Sequence, residues 1–289
     1  MIMATAPPVK IHFALLFFIL LSTFITPFSI SFASDADFSI QQKNPLKNSN
    51  KISNNHYAFE RCRSLQAKAF DTNSKKKKLI IIGDSQGCDF LNEAIENRYL
   101  TNYQIQFRFI PYACQTIPNE NINDYISKKY QNYCLKTKHI DSLKKAKQQV
   151  NEADVVVFSP LWKAAVANKL PKIFHYLGIK KQQRLIVIGY KFFGKITPSK
   201  YINLSNHERR LLRNEVGKKS LEINAILSKR LGKNATFINP HQLVCGDSTN
   251  CPVFTSDLKL ISYDGRHLTK AGARYIGKIL FKNTMLGSI

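Results

Sequence analysis

The chain of 289 residues is strongly basic, with 43 Lys and Arg against 19 Asp and Glu, and its formal net charge is +24. A hydrophobic content of 44 % excludes an intrinsically disordered protein, and the length fits one domain of about 200 residues with extensions. The lysines stand among Asn and Gln, and the sequence has no Arg motif interleaved with aromatic residues. We therefore expect no nucleic-acid partner, and the charge indicates either solvated faces or attraction to an anionic envelope surface.

Residues 1–34 have the pattern of a leader. Lys10 precedes an apolar run over residues 11–30, and small residues follow it at Ser31 and Ala33. This pattern predicts a secretory signal peptide, and the alternative is an uncleaved N-terminal membrane anchor, because a span needs about 20 apolar residues. In either case the rest of the chain is predicted to be extracytoplasmic: secreted or periplasmic, and tethered if the leader is retained.

Six cysteines fit an oxidising compartment. Two pairs enclose polar segments and are predicted to form disulfides, namely Cys245 with Cys251 and Cys114 with Cys134. Cys62 and Cys88 are left to pair with each other or to remain free. The sequence contains no C-x-x-C or H-E-x-x-H motif, so we expect no structural or catalytic zinc site.

Strand and helix patterns alternate after a polar stretch, residues 35–55, which reads as a flexible linker. Five strands are predicted at 79–82, 103–110, 153–159, 184–189 and 235–239. Helices are predicted at 56–70, 89–97, 140–152, 163–177, 206–231 and 269–283. The alternation predicts one α/β domain over residues 56–289, with a parallel sheet covered on both faces.

The first informative stretch joins a strand to a helix. Leu79 to Ile82 form a short apolar run, Gly83 permits a tight turn, and Asp84 and Ser85 come just before a helical pattern. The carboxyl end of a strand in such a sheet is where reacting groups are placed, and a helix N-terminus stabilises negative charge. Ser85 is therefore the candidate nucleophile.

The second stretch precedes the last helix. Asp264 and His267 are three residues apart in a turn, where a carboxylate can orient the imidazole that accepts a proton from Ser85. Thr269 can cap the helix that follows. Taken alone, this stretch also fits an ordinary helix-start turn with a surface His.

Together, Gly83-Asp-Ser85 and Asp264-x-x-His267-Leu resemble the SGNH/GDSL family of esterases and acyltransferases, over about residues 75–285 in element order. The resemblance implies a flavodoxin-like three-layer αβα sandwich around a five-stranded parallel sheet. It also implies that Ser85 is the nucleophile, that its N–H serves the oxyanion hole, that His267 is the general base and that Asp264 orients it. By the same resemblance, Asp84 supports the loop rather than reacting.

The middle of the chain departs from that pattern. The family supplies further oxyanion donors from a Gly after the second strand and an Asn after the third, whereas here the strands lead into residues 110–114 and 159–162. These departures are similar to SGNH domains fused to, or working beside, acyltransferase-3 membrane proteins that O-acetylate surface polysaccharides. Cys114, Trp162 and the pair Cys245/Cys251 match that branch. Trp162 is expected either to line the acceptor pocket or to pack in the core.

The sequence thus predicts serine-dependent transfer of an acyl group, with acetyl as the expected one, to or from hydroxyls of a cell-surface carbohydrate. This chemistry needs no metal and no organic cofactor. Its partners are then a carbohydrate acceptor, an acyl donor and, in one arrangement, a membrane acyltransferase. The alternatives are a non-catalytic binding or accessory domain and a secreted lipase or lysophospholipase. A second Gly-Asp-Ser string, at 246–248, is interpreted as turn chemistry, and Cys88 as a buried structural thiol.

Overall fold

The computed structural model describes residues 45–233 and 235–289. The predicted leader, residues 1–34, and the start of the predicted linker lie outside this range. Helix α1 (Lys51–Leu65) begins after Asn50, whose side chain accepts hydrogen bonds from the N–H groups of Ile52 and Ser53. Residues 51–55 are therefore helical, which corrects the linker prediction at that point. No helix among the described residues is long and apolar enough to cross a membrane.

Five parallel strands form the main sheet, in the order β2-β1-β3-β4-β6. The bounds are β1 (Lys77–Gly83), β2 (Tyr103–Phe109), β3 (Val155–Ser159), β4 (Arg184–Ile188) and β6 (Ala235–Ile238). Two short strands, β5 (Arg213–Glu215) and β7 (Asn250–Pro252), form a separate antiparallel pair. The order is the flavodoxin-like one, and it brings the carboxyl ends of β1, β2 and β3 together at one edge.

Helices cover both faces of the main sheet. The remaining helices are α2 (Ser85–Glu96), α3 (Lys128–Lys136), α4 (Leu143–Glu152), α5 (Ala164–Asn168), α6 (Leu170–Leu177), α7 (Asn206–Leu211), α8 (Lys219–Arg230), α9 (Pro240–Cys245) and α10 (Lys270–Asn283). Residues of α1, α2 and α10 form one core with Leu79 and Ile81. Residues of α4, α5, α6 and α8 form the other with Ile80 and Ile82, as alternation along a strand requires. The predicted three-layer fold is confirmed.

The predicted long helix at 206–231 is wrong. Ser205 and Glu208 form a capping box at the start of α7, but the backbone is already extended at Leu212. The chain then pairs β5 with β7, and a second helix starts only at Lys219. The apolar residues of two separate elements lie at helical spacing along the chain, and this spacing led to the prediction of a single helix.

The predicted helix at 163–177 is likewise divided. The chain leaves helical geometry at Lys169, which ends α5, and α6 follows with Pro171 in its first turn. A proline lacks a backbone N–H and clashes inside a helix, whereas the first turn tolerates it. Pro171 therefore marks a new helix start that the apolar pattern alone did not reveal.

All six cysteines are paired. The bridges Cys114–Cys134 and Cys245–Cys251 are those predicted, and the third joins Cys62 of α1 to Cys88 of α2. Cys88 is buried but is not a free thiol, which corrects the expectation for that residue. The third bridge fixes α1 to the helix that begins at Ser85.

Candidate active site

Ser85 is the first residue of α2, immediately after the carboxyl end of β1. A side chain at Gly83 would place its Cβ only 2.5 Å from the carbonyl oxygen of Ser159, so glycine is required for the close approach of β1 and β3. Asp84 caps α2 by accepting the N–H of Gln86 at 3.0 Å. Ser85 is half-buried, and its own N–H is among those that have no partner within a helix.

Asp84 also holds the loop that follows β3. Its two carboxylate oxygens accept the N–H of Leu161 at 2.9 and 3.0 Å, and the residue is 4 % exposed. Burial raises the pKa of Asp84 to about 6, although the hydrogen bonds from Gln86 and Leu161 oppose that rise. These contacts give Asp84 the geometry of a support for the loop.

Asp264 and His267 form a hydrogen-bonded pair on the turn before α10. Nδ1 of His267 lies 2.6 Å from Oδ2 of Asp264, while Oδ1 accepts the N–H groups of Arg266 and His267, both at 2.8 Å. The carboxylate thus fixes the turn and accepts a hydrogen bond from Nδ1–H. In the tautomer assigned on this basis, Nε2 carries no proton and can accept one. The imidazole is 19 % exposed, which leaves it reachable.

The pKa of His267 is raised and the pKa of Asp264 is lowered from their ordinary values. Burial disfavours the charged imidazolium, but the hydrogen bond to Asp264 and the charges of Asp89 and Asp264 outweigh burial and raise the pKa of His267. Burial would also raise the pKa of Asp264, yet its hydrogen bonds to His267 bring it down to about 2. Asp264 is therefore ionised whenever His267 changes its protonation state, as an orienting carboxylate must be.

Hydrogen bonds join the two halves of the site. The side chain of Gln86, next to Ser85, donates to the carbonyl of Arg266 at 2.9 Å. Oδ1 of Asp89 accepts the N–H of Leu268 at 3.2 Å. The neighbours of Ser85 thus hold the neighbours of His267, whereas the Ser85 hydroxyl itself has no hydrogen bond to any described residue.

Sequence reasoning missed a buried lysine at the centre of these contacts. Lys191 follows β4, is 4 % exposed, and donates its Nζ to Gln86 and to Asp89 Oδ2, each at 2.6 Å. Its positive charge opposes the rise in the pKa of Asp84 and of His267. Its position at the carboxyl edge of the sheet was the available signal.

Two aromatic rings flank the imidazole of His267. Tyr263 stacks on His267 with the ring centroids 5.8 Å apart and an interplanar angle of 21°. Phe59 of α1 meets the same ring at 5.8 Å with a 55° tilt. These rings restrict the orientation of the imidazole. Phe59 also makes α1 part of the site, although the sequence analysis did not connect this helix with the two motifs.

Trp162 does not present an open face to the site. The side chain is 1 % exposed and donates its indole N–H to the carbonyl of Ile188 at 2.8 Å. It lines a small cavity of about 50 Å³ together with Gly83, Ile110 and Cys114. Of the two expectations, the geometry fits core packing rather than an open face that stacks on an acceptor sugar.

The segments after β2 and β3 offer few free N–H groups for an oxyanion. The N–H of Ile110 is bonded to Gly83 O at 2.7 Å, and the N–H of Leu161 is bonded to Asp84. Pro111 and Pro160 have no N–H. The first turn of α2, with the N–H of Ser85, is therefore the best-placed source of donors in this arrangement.

Within the described part of the chain, one group of ligating atoms is close enough to hold a metal, and it lies at the far bridge. Nδ1 of His241 stands 3.8 Å from the sulfur of Cys251, which is bonded to Cys245. Because thiolates bind metals and disulfide sulfurs do not offer that charge, the intact bridge does not fit a metal. His241 Nε2 contacts Ser248 O at 2.9 Å, so the second Gly-Asp-Ser string belongs to a turn.

The comparison with family models agrees with the fold. A family model described as SGNH domain (fused to AT3 domains) matches residues 47–282, a range that includes α1, the main sheet and all of α10 but its last residue. A search of curated proteins found no match. The family match covers most of the chain and spans both halves of the site, and the chain therefore belongs to this family of SGNH domains.

Proposed function

We propose that this protein transfers an acyl group, with acetyl as the expected one, to or from hydroxyls of a cell-surface carbohydrate in an extracytoplasmic space. The observation that carries the proposal is the 2.6 Å contact of Asp264 with His267 on a turn hydrogen-bonded to the segment that follows Ser85. The three disulfides and the fusion of related domains to AT3 domains support the location.

The chemistry follows from the roles of the three residues. Ser85 Oγ attacks the acyl carbonyl while its proton passes to Nε2 of His267, and the N–H groups at the start of α2 face the oxyanion. The tetrahedral intermediate expels the donor alkoxide, which takes the proton back from His267 and leaves an acyl-serine. A sugar hydroxyl then gives its proton to His267 and attacks the ester. As the tetrahedral intermediate collapses, His267 returns the proton to the departing Ser85 Oγ and the new sugar ester forms; water in place of the sugar gives hydrolysis.

An acyl donor on the membrane side fits this scheme. Related SGNH domains are fused to AT3 domains, and we propose that a membrane acyltransferase presents the acyl group to Ser85 of this chain. The basic surface, with a net charge of +24, favours residence near anionic envelope polymers and lipids.

The test is intact-protein mass spectrometry of residues 35–289 mixed with p-nitrophenyl acetate, alongside Ser85→Ala and His267→Gln. We expect one acetyl adduct on the parent, none on Ser85→Ala, and slow formation on His267→Gln. Adding an oligosaccharide acceptor separates the two reactions: transfer yields an acetylated sugar, and hydrolysis yields acetate.

The second candidate is a non-catalytic binding domain, favoured by the bonded N–H of Ile110 and Leu161 at the places where the family supplies oxyanion donors. Absence of any Ser85-dependent adduct would favour this function. The parent and Ser85→Ala must show the same melting temperature in that experiment, because this excludes misfolding as the cause of the result.

A further inference from the structure

A groove of about 550 Å³ lies beside the site, between the end of α1, the end of β2 and helix α3. Its walls include two aromatic rings, a guanidinium, an amide, a hydroxyl and an imidazole, from Phe109, Tyr133, Arg63, Gln66, Thr137 and His139. The volume is within the range that small-ligand sites occupy. None of the residues that line this groove is acidic.

Two residues of the groove lie near the segments that carry Ser85 and His267. Phe109 pairs with Gly83 across β1 and β2, two positions before Ser85, so its backbone is one strand spacing away. The guanidinium of Arg63 lies over the ring of Phe59, 5.1 Å from the centroid. Because Phe59 contacts His267 at 5.8 Å, a ligand lying in the groove can extend toward the imidazole.

Arg63 is exposed and has no acidic partner. Its contact within the described residues is the Phe59 ring, and it forms no ion pair there. The neighbouring carboxylate of Asp141 is bonded to Arg108 at 3.0 Å and to the N–H of Phe109 at 2.9 Å. The guanidinium of Arg63 can therefore pair with the anionic group of a ligand.

Tyr133 gives the groove an accessible aromatic surface on a fixed support. It is 43 % exposed, and its hydroxyl makes no hydrogen bond to a described residue. The adjacent Cys134 is bonded to Cys114, which ties α3 to the segment after β2. The bridge fixes the backbone that carries Tyr133, so less backbone freedom is lost when a ligand packs on the exposed ring.

We propose that this groove binds a sugar unit bearing a carboxylate or phosphate, with Arg63 paired to the anion and Tyr133 against the sugar ring. The proposal rests on the proposed function and specifies its acceptor: an anionic glycan whose hydroxyl extends from the groove to Ser85 and His267. A guanidinium pairs with carboxylate or phosphate through two parallel hydrogen bonds, and amphipathic rings cover the apolar face of a sugar.

Binding is measured by titration calorimetry on Ser85→Ala, which removes turnover. The probes are trigalacturonate, its methyl-esterified neutral form, glucose 6-phosphate and inorganic phosphate. We expect a charged sugar to bind at least about tenfold more tightly than the neutral ester, with affinity falling as salt is raised. Trigalacturonate and glucose 6-phosphate distinguish a carboxylate from a phosphate as the anion, and phosphate binding without sugar preference would contradict the role of Tyr133.

Matched variants locate the site. Arg63→Gln and Tyr133→Ala are expected to weaken binding about tenfold, while Lys229→Gln, which removes an equal charge on α8, and Tyr130→Ala, which removes another exposed ring of α3, leave it unchanged. Equal loss in the control variants, equal binding of neutral and charged sugars, or no binding of any probe would overturn the proposal. Matching melting curves confirm that each variant is folded.

The acetyl adduct of Ser85 separates this inference from the proposed function, since p-nitrophenyl acetate is small and neutral. An adduct without Arg63-dependent binding refutes the groove alone. Arg63-dependent binding without an adduct refutes the enzyme and leaves an anionic-glycan binding site.

Discussion

The buried ammonium of Lys191 lies 2.6 Å from Oδ2 of Asp89, although 102 positions separate the two residues in the chain. Both side chains are almost completely enclosed, at 5 % and 1 % exposure. The pair connects the carboxyl end of β4 to the helix that starts at Ser85, and the other carboxylate oxygen of Asp89 holds the His267 turn through Leu268. The pair therefore joins β4 to the segments that carry Ser85 and His267.

Removing one partner of this pair is expected to be costly. Lys191→Met leaves a buried carboxylate without its cation, so we expect the free energy of unfolding to fall by about 3–5 kcal/mol, measured by urea denaturation. Asp89→Asn keeps an oxygen for Leu268 and removes the charge, so the double variant should be more stable than Lys191→Met alone. Additive losses in the double variant would contradict a direct charge pair.

Activity toward p-nitrophenyl acetate should fall as the pH drops through the pKa of His267, which lies above its usual value of about 6.5 because Asp264 and Asp89 favour the imidazolium. Only the neutral imidazole accepts the Ser85 proton. In Asp264→Asn the imidazolium loses its carboxylate partner while burial still disfavours its charge. The pKa of His267 should therefore fall, and the acid limb of the pH–rate profile should move to lower pH. The maximal rate should also fall about 100-fold or more. The surface variant Asp257→Asn is the control, and an unmoved acid limb in Asp264→Asn would argue against the pair.

Asp84 is expected to stabilise both segments that it joins. Asp84→Ala removes the cap of α2 and leaves the N–H of Leu161 without its acceptor, so stability should fall by about 1–3 kcal/mol. Asp84→Asn retains one oxygen that can accept from either Leu161 or Gln86, and its loss should be smaller. Urea denaturation of both variants decides the matter, and an equal loss would contradict the hydrogen-bonding role.

Gly265 is expected to be irreplaceable for the turn between Asp264 and His267. Its φ is +90°, and a Cβ there would stand 2.0 Å from the carbonyl oxygen of Gly194. Gly217 also has a positive φ, +70°, but a Cβ there meets nothing within 4 Å. Gly217→Ala should therefore cost about 1–2 kcal/mol for the backbone alone, while Gly265→Ala should cost more and slow acetyl-adduct formation. Similar behaviour of the two variants would show that the close contact relaxes freely.

Glu93, one turn beyond Asp89, should make the free energy of unfolding fall as the pH rises from about 4.5 to about 8. Burial raises the pKa of Glu93 to about 8, and its Oε1 has no hydrogen-bond partner within the described residues. The folded pKa exceeds the unfolded one, so the stability associated with the protonated group is full below about 4.5 and is lost as the pH rises through 8. Thermal melting of Glu93→Gln should lose this decline, and an unchanged slope between pH 5 and about 9 would contradict the prediction.

The sequence was sufficient where one short segment determines the outcome. The apolar run of β1, the turn at Gly83 and the helix after Ser85 are local patterns, and each strand of the main sheet is marked by its own residues. The two bridges that close polar segments were also foreseeable, because each pair encloses its own loop. The spacing of Asp264 and His267 predicted that they could face one side, and they do so at 2.6 Å.

Features that depend on distant partners were not foreseeable. The predicted helix across residues 206–231 fails because β5 pairs with β7, and no local pattern encodes a partner thirty or more residues away. Lys191 resembled any other lysine until the fold enclosed it with Asp89. Phe59 reaches His267 because α1 packs on α2, where the Cys62–Cys88 bridge and the Arg61–Glu96 ion pair join the two helices.

Because of that bridge, the smallest fragment that keeps the site intact must include α1. A chain shortened to the stretch that holds both motifs, about residues 75–285, would leave Cys88 without its mate and strip α1 from the apolar side of α2. It would also remove Phe59 from the imidazole and Arg63 from the groove. Loss of activity in such a fragment would be an effect of its boundary rather than evidence against Ser85, so recombinant fragments should start ahead of Lys51.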